Sequence, residues 1–310
     1  MQFQIKQKIG ARFKLIARKA NNGSIARESE WFSNIVLNTG LNRMSVGRWI
    51  DRCCIGAGNS TPLATQTALD NFLASTTKIQ ASTGSRQVTI EPYYYSATVT
   101  WRFGEGVAAG NLSEVGLGWG DTNLWNRALI RDVNGNPTTM TILSDEFLDV
   151  ISEIRVYPER KIEGTFNLLD KSGSIKSVHN YVAYPAIIAD GTAGFSLVCF
   201  PRLPYGYTYP STQGINNSPV DNPGGGLVSW DGYTQELSNP TPTSSRCKIT
   251  YNLQQANGTH KSFSLPIEGL LAATSMNRVK VEIDPPITKT NLQVMTYTFE
   301  LSWGRYEGNN

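Results

Sequence analysis

The sequence predicts an all-β protein, built as two β-sandwich-like domains with one short helix and a long irregular loop. Three observations carry this. Apolar and polar residues alternate with a period of two through most of the chain. Short apolar runs are separated by turn signals, among them Asn22-Gly23, Asn134-Gly135 and Asn257-Gly258. Charged residues make up only 17% of the chain against 40% hydrophobic, and Ser, Thr, Asn and Gly carry much of the polarity. That profile suits exposed sheet surfaces and turns, and the 10% aromatic content excludes bulk disorder.

The elements follow in order. Phe13–Lys19 and the run ending at Trp31-Phe32 flank Asn21-Asn22-Gly23, a hairpin signature. Ser33–Gly40 reads as a strand closing at glycine, and Trp49–Ile55 as another. Thr61 is a suitable N-cap with Pro62 at the first helical position, and Leu69, Phe72 and Leu73 fall at helical spacing. The spacing predicts a helix over 64–75. Beyond residue 77 the period returns to two. Strands are predicted at 87–91, 97–103, 112–119, 124–131, 140–143 and 148–157. Regularly spaced short strands of this kind indicate a sandwich or barrel.

The second half predicts strands at 166–169, 175–184, 195–200, 247–253 and 292–303. In the last, Tyr297, Phe299, Leu301 and Trp303 share one face. The predicted domains are 1–157 and 158–310, joined near 157–162. Residues 201–245 lose all periodicity and hold many prolines, glycines and tyrosines. A loop of that length is expected to be functional or disordered. Its Tyr205, Tyr207, Tyr209, Trp230 and Tyr233 are the candidate interface residues, because aromatics contribute most when buried at a contact. The expectation is an assembly arm fixed by neighbouring chains, with a loop folded back on its own domain as the alternative. The two halves also resemble each other loosely. Ala97–Trp101 parallels Cys247–Tyr251, and Phe147–Ser152 parallels Asn291–Thr296, which is duplication or shared β composition.

Chemistry is sparse. The net charge of +3 on 310 residues does not point to nucleic acid. No apolar run approaches the roughly 20 residues of a membrane helix, and no secretory signal is expected at the N-terminus. Cys53, Cys54, Cys199 and Cys247 form no metal-ligand spacing and read as free, buried thiols. His179 and His260 lack a nucleophile elbow. The glycine runs at 56–58, 104–110 and 224–226 lack the Lys-Ser/Thr ending of a phosphate loop. Asp145, Glu146 and Asp149, and the pair Glu105 and Glu114, offer carboxylates for glycoside chemistry, but Asp145-Glu146 reads first as a polar turn. Lys6, Lys8, Arg12, Lys14 and Arg18 share parity in a strand. They read as a solvated face rather than a nucleic-acid arm. No catalytic residue, metal or cofactor is expected.

The run Trp31–Arg43 resembles a pattern in structural proteins of tailed-bacteriophage virions. Ile55–Pro62 with Thr67-Ala68-Leu69, then Gly110–Trp119, Asn126–Thr139 and Leu143–Val150, are similar to successive blocks of that family. The resemblance covers about residues 31–150 and carries no catalytic residues. It implies a non-enzymatic component of the tail, neck, collar or baseplate, working by assembly with copies of itself and other virion proteins. It also implies synthesis in the host bacterial cytoplasm. The second expectation is a tail-fibre protein binding a receptor or a host surface glycan. Behind it stand a polysaccharide-degrading enzyme and a bacterial adhesin.

Overall fold

A computed structural model describes residues 2–187, 210–221, 226, 228, 232–267, 271 and 277–308. The chain opens with β1 (Gln2–Lys19), turns through Gly23 at φ +71° and returns as β2 (Ile25–Glu28). The short strands β3 (Phe32–Ser33) and β4 (Ile35–Val36) lead into α1 (Asn38–Arg43). Then come β5 (Arg52–Gly56), β6 (Phe72–Thr76), β7 (Ile79–Gln87) and β8 (Tyr94–Phe103). They are followed by β9 (Gly110–Leu112), β10 (Glu114–Gly120), β11 (Asn123–Leu124) and β12 (Asn126–Leu129). β13 (Met140–Ile142) and β14 (Glu146–Pro158) close the first half. The second half holds β15 (Ile162–Leu169), β16 (Ile175–Ile187), β17 (Pro210–Ser211) and β18 (Thr234–Ser238). It ends with β19 (Ser244–Tyr251), β20 (Gly258–Ile267), β21 (Asn277–Lys289) and β22 (Met295–Arg305). The all-β class is as expected.

Strand β1 organises the molecule. It lies inside a nine-stranded sheet of order β18-β19-β22-β1-β14-β8-β7, with β2 and β3 also on β1. Its residues 2–9 pair in parallel with 298–305 of β22, and its residues 7–19 pair antiparallel with β14. The sheet therefore contains both ends of the chain, and the expected units 1–157 and 158–310 share it. Residues 159–161 do mark a change of sheet, since β15 opens a five-stranded sheet of order β15-β16-β21-β20-β17. A six-stranded sheet, β4-β12-β10-β5-β6 with β11, and the pair β13-β9 complete the first half.

The odd-numbered side chains of β1 are buried from Phe3 to Ala17, as alternation requires of a half-buried strand. At one end Phe3 packs edge-on against Phe166 and Tyr181 of the five-stranded sheet, with ring centroids 5.0 and 5.1 Å apart. At the other Phe13 meets Phe32 at 6.1 Å. A single apolar cluster runs from Trp49, Trp101 and Trp125 in the first half to Phe263, Tyr297 and Phe299 in the second. The Trp303 indole also donates to the Leu41 carbonyl at 2.9 Å, tying the last strand to α1.

Three expectations are corrected. The helix is not at 64–75. The amides of Asp70 and Asn71 donate to the Glu114 carboxylate at 3.1 and 2.8 Å, not to carbonyls one turn back. Phe72 and Leu73 are 39% and 44% exposed, so no apolar helix face exists, and β6 takes those residues. The helix lies instead at 38–43, taking the last three residues of the strand expected at 33–40. A Cβ on its Gly40 would collide with the Trp125 carbonyl. The strand expected at 87–91 ends at Gln87, ahead of a bend with a cis Glu91–Pro92 bond.

The described parts of 201–245 are also more regular than expected. β18 and the start of β19 lie within them, and residues 210–221 fold onto the five-stranded sheet. There Ile215 N–H donates to Glu282 at 2.7 Å, and Ser262 Oγ donates to the Gln213 carbonyl at 2.7 Å. For that stretch the folded-back alternative holds. The strand expected at 195–200 lies outside the described residues.

Candidate functional site

The hairpin β15–β16, the cis-proline bend of β21 and the turn into β22 enclose a cleft of about 1080 Å³. The residue pattern explains the opening. Among the described residues β15 is an edge strand, with β16 as its one partner in the sheet. Pro285 and Pro286 interrupt β21 at the same level, because proline donates nothing to a ladder. The rim is apolar and exposed: Leu169 at 51%, Leu253 at 46%, Val294 at 55% and Leu292 at 85%. Several large aliphatic side chains on one opening mark a contact surface more than a solvated turn.

The floor carries one polar device. His179 Nδ1 lies 2.6 Å from the Pro285 carbonyl, which only accepts, so Nδ1 holds the proton. Nε2 then accepts from the Ser177 hydroxyl, also at 2.6 Å. Phe166 stacks on the imidazole at 5.3 Å and fixes its plane. Ser177 and His179 point the same way because they are two apart on β16. Chemically this is a hydroxyl hydrogen-bonded to an imidazole whose plane is fixed. At the mouth, Asp170 accepts from Ser172 and Ser174, and these bonds, the Ser172 hydroxyl foremost, hold its carboxyl below the usual range.

Of the interface residues expected from sequence, Tyr233 is the one among the described residues. Tyr205, Tyr207, Tyr209 and Trp230 lie outside the described residues, as do Cys199, Gly224 and Gly225. Tyr233 is half-buried and packs edge-on against Tyr251 at 5.9 Å, inside its own core. It is a packing residue of the large sheet.

Asp145, Glu146, Asp149 and Glu114 are paired with cations. Glu146 pairs with Arg27 and with Lys19, the latter at 3.0 Å. Burial pushes its carboxyl up, but the Leu143 amide, Lys19 and Arg27 outweigh that and leave it below the ordinary value. Asp149 meets Arg102 at 2.7 Å and Arg18 at 3.3 Å, and Asp145 meets Lys19 at 3.4 Å. A glycosidase acid needs a raised pKa, opposite to Glu146. Glu105 is exposed, while Glu114 is fully buried on Arg127. On the basic face of β1, Arg12, Lys14 and Arg18 are paired with carboxylates, while Lys6 and Lys8 are exposed. Arg12 meets Glu153 at 2.5 Å and Lys14 meets Glu28 at 3.0 Å. Cys53, Cys54 and Cys247 are free and buried, and burial pushes Cys54 up to about 12 and Cys247 up to about 11. Such thiols are poor nucleophiles.

Sequence reasoning reached His179 but not its partner. The Ser-x-His spacing was visible, whereas Pro285 is 106 residues away. The rim was missed because Leu169 ends β15, Leu253 follows β19, and Leu292 and Val294 come from the turn before β22. No protein-family model, no curated protein and no solved structure matches the chain.

Proposed function

We propose that this chain is a non-enzymatic structural subunit of a tailed-phage virion, in its tail, neck, collar or baseplate, and that it acts by docking neighbouring subunits. The observation that carries the docking half is the exposed rim of Leu169, Leu253, Leu292 and Val294 around the cleft. Apolar area of this kind gains most when another protein covers it. The virion half rests on the sequence blocks between residues 31 and 150. The neighbour is a further copy of the chain or another virion protein. Light scattering of the purified chain against concentration is the direct test. Association that Leu169→Asp and Leu292→Asp together abolish is the expected result. A chain that stays monomeric at every concentration, and is missing from purified particles, would overturn the reading.

A second reading has one observation behind it. The Ser177–His179–Pro285 arrangement could activate a serine for acyl transfer. A fluorophosphonate probe that labels Ser177, and does not label a His179→Ala variant, would move the protein to that class. The glycan reading loses Tyr233 as an exposed platform, because that ring packs on Tyr251.

A further inference from the structure

Two lysines in the five-stranded sheet have their ammonium groups inside the protein. Lys280 is fully buried and Lys289 is 1% exposed. Each rests on an asparagine amide oxygen. Lys280 Nζ is 2.9 Å from Asn216 Oδ1, and Lys289 Nζ is 2.8 Å from Asn257 Oδ1. Their surroundings then diverge. Asn216 Nδ2 donates to the Asp221 carboxylate at 2.9 Å. Among the described residues, Asn257 Nδ2 donates to the Leu253 carbonyl alone, at 3.0 Å.

We propose that Lys280 and Asn216 join in an intramolecular amide crosslink, with Asp221 as the carboxylate that handles the protons. The constellation supplies each requirement of that reaction. The nucleophile must be a neutral amine. The described contacts of Lys280 Nζ are the Asn216 oxygen and the Ser218 carbonyl at 2.6 Å, both neutral. Desolvation lowers the amine's pKa, with Asp221 pulling it partly back. The electrophile must be polarised. Asn216 Oδ1 accepts from the Ser218 amide at 3.1 Å as well as from Lys280, so negative charge developing there meets a fixed backbone donor. The leaving group must be protonated. Asp221 already touches Asn216 Nδ2, the atom that departs.

The step balances without an outside reagent. Lys280 Nζ, as a free amine, attacks Asn216 Cγ and forms the new C–N bond. One Nζ proton passes through the Asp221 carboxyl to Nδ2. The Cγ–Nδ2 bond breaks and one ammonia leaves. Asn216 and Asp221 are exposed, so the ammonia escapes directly into solvent. Nothing is oxidised or reduced. The product clamps the 210–221 segment onto β21, and Ile187 N–H at the end of the neighbouring β16 already donates to the Pro219 carbonyl at 2.6 Å. Lys289 and Asn257 are the internal control, since no carboxylate touches that amide among its described contacts. That pair stays a hydrogen bond.

Intact mass spectrometry of the denatured, purified full chain tests this. The expected mass is the sequence mass less one ammonia, with tandem spectra showing the peptide containing Asn216 joined to the peptide containing Lys280. Asn216→Ala, Lys280→Arg and Asp221→Asn should each restore the mass of their own sequence, with the β-sheet circular dichroism of the parent. A parent chain at full sequence mass after days at room temperature would overturn the proposal. So would an ammonia loss that maps to a succinimide at one of the Asn-Gly pairs, which hydroxylamine cleaves and a crosslink resists. Crosslinking that persists in Asp221→Asn would overturn the role given to Asp221.

Discussion

Buried charge is handled in opposite ways in the two halves of the molecule. In the six-stranded sheet, fully buried Arg127 faces fully buried Glu114, with Nε and Nη2 at 2.9 and 2.8 Å from one carboxylate oxygen. Asp70, Gln66 and Ser60 take the remaining donors. The other Glu114 oxygen accepts from the amides of Gly58 and Asn71. In the five-stranded sheet, Lys280 and Lys289 meet only neutral oxygens among their described contacts. The difference follows from the head groups. A guanidinium stays charged and presents a rigid fork, so it needs an anion. An ammonium can lose its proton, so it tolerates a site without one. One cluster is therefore a scaffold that folds a loop, and the other is a place where an amine can react.

The comparison breaks most visibly at Glu114. Replacing it with Gln or Ala leaves Arg127 charged, buried and short of its main partner, and it deprives the amides that shape 56–72 of their acceptor. The expected loss is about 3–5 kcal/mol, read as a fall in the urea midpoint at unchanged slope. A loss below about 1 kcal/mol would mean that water reaches Arg127 and that the cluster does not organise the loop.

Acid should find the two halves at different pH. His260 is fully buried, with Nδ1 2.6 Å from the Tyr297 hydroxyl and Nε2 2.6 Å from the Ala256 carbonyl. Burial lowers its pKa to about 4 from 6.5, with Lys289 adding to the effect and the Ala256 carbonyl opposing it. The unfolded chain then binds the proton first. Stability held above pH 6.5 is lost as pH falls toward about 4. The loss is on the order of 3 kcal/mol, and His260→Gln should flatten that slope. The first half instead relies on carboxylates held below their ordinary values, such as Glu153 beside Arg155 and Arg12, for which burial pushes up and the cations prevail. Its stability is present above the ordinary glutamate value of 4.5 and is lost below it. A single transition with no component between pH 6.5 and 4.5 would put His260 in contact with water.

These clusters also show where sequence stops being informative. The strands were legible because alternation is local: Phe3 to Ala17 on β1 and Tyr297 to Trp303 on β22 each declare a buried face. The Asn22-Gly23 turn was legible for the same reason. The helix at 64–75 was misread because the competing acceptor is distant. Glu114 is 44 residues from the Asp70 amide and 56 from that of Gly58. Lys280 gave no signal at all. It alternates with Val279 and Val281 as a solvent-facing residue would, and its cover comes from Asn216 and Ser218, 64 and 62 residues away. The pairing of β1 with β22 was equally hidden, because two well-formed strands do not announce their neighbours.

A smaller effect separates Lys289 from Arg127. Lys289→Met keeps the length of the side chain and removes only hydrogen bonds to neutral oxygens. The expected cost is about 1–2 kcal/mol, set by the Asn257 and Leu253 oxygens it leaves behind. A cost equal to that at Glu114 would show that Lys289 is paired with an anion, and the contrast between the halves would fail.

The smallest effect on stability is expected at the cleft rim, where it carries the most information. Leu292 sits in the turn before β22 at 85% exposure, so its side chain buries almost nothing in the folded subunit. Leu292→Ser should change unfolding free energy by no more than about 0.5 kcal/mol, as for other exposed positions. Docking is a different matter. A leucine that a neighbour covers contributes about 1.5–3 kcal/mol, which is one to two orders of magnitude in association constant. Stability held constant while association falls would place the neighbour's contact on the rim. If association were unchanged in both Leu292→Ser and Leu169→Ser, the rim would be ordinary exposed surface, and the docking face of this subunit would have to be sought on another sheet.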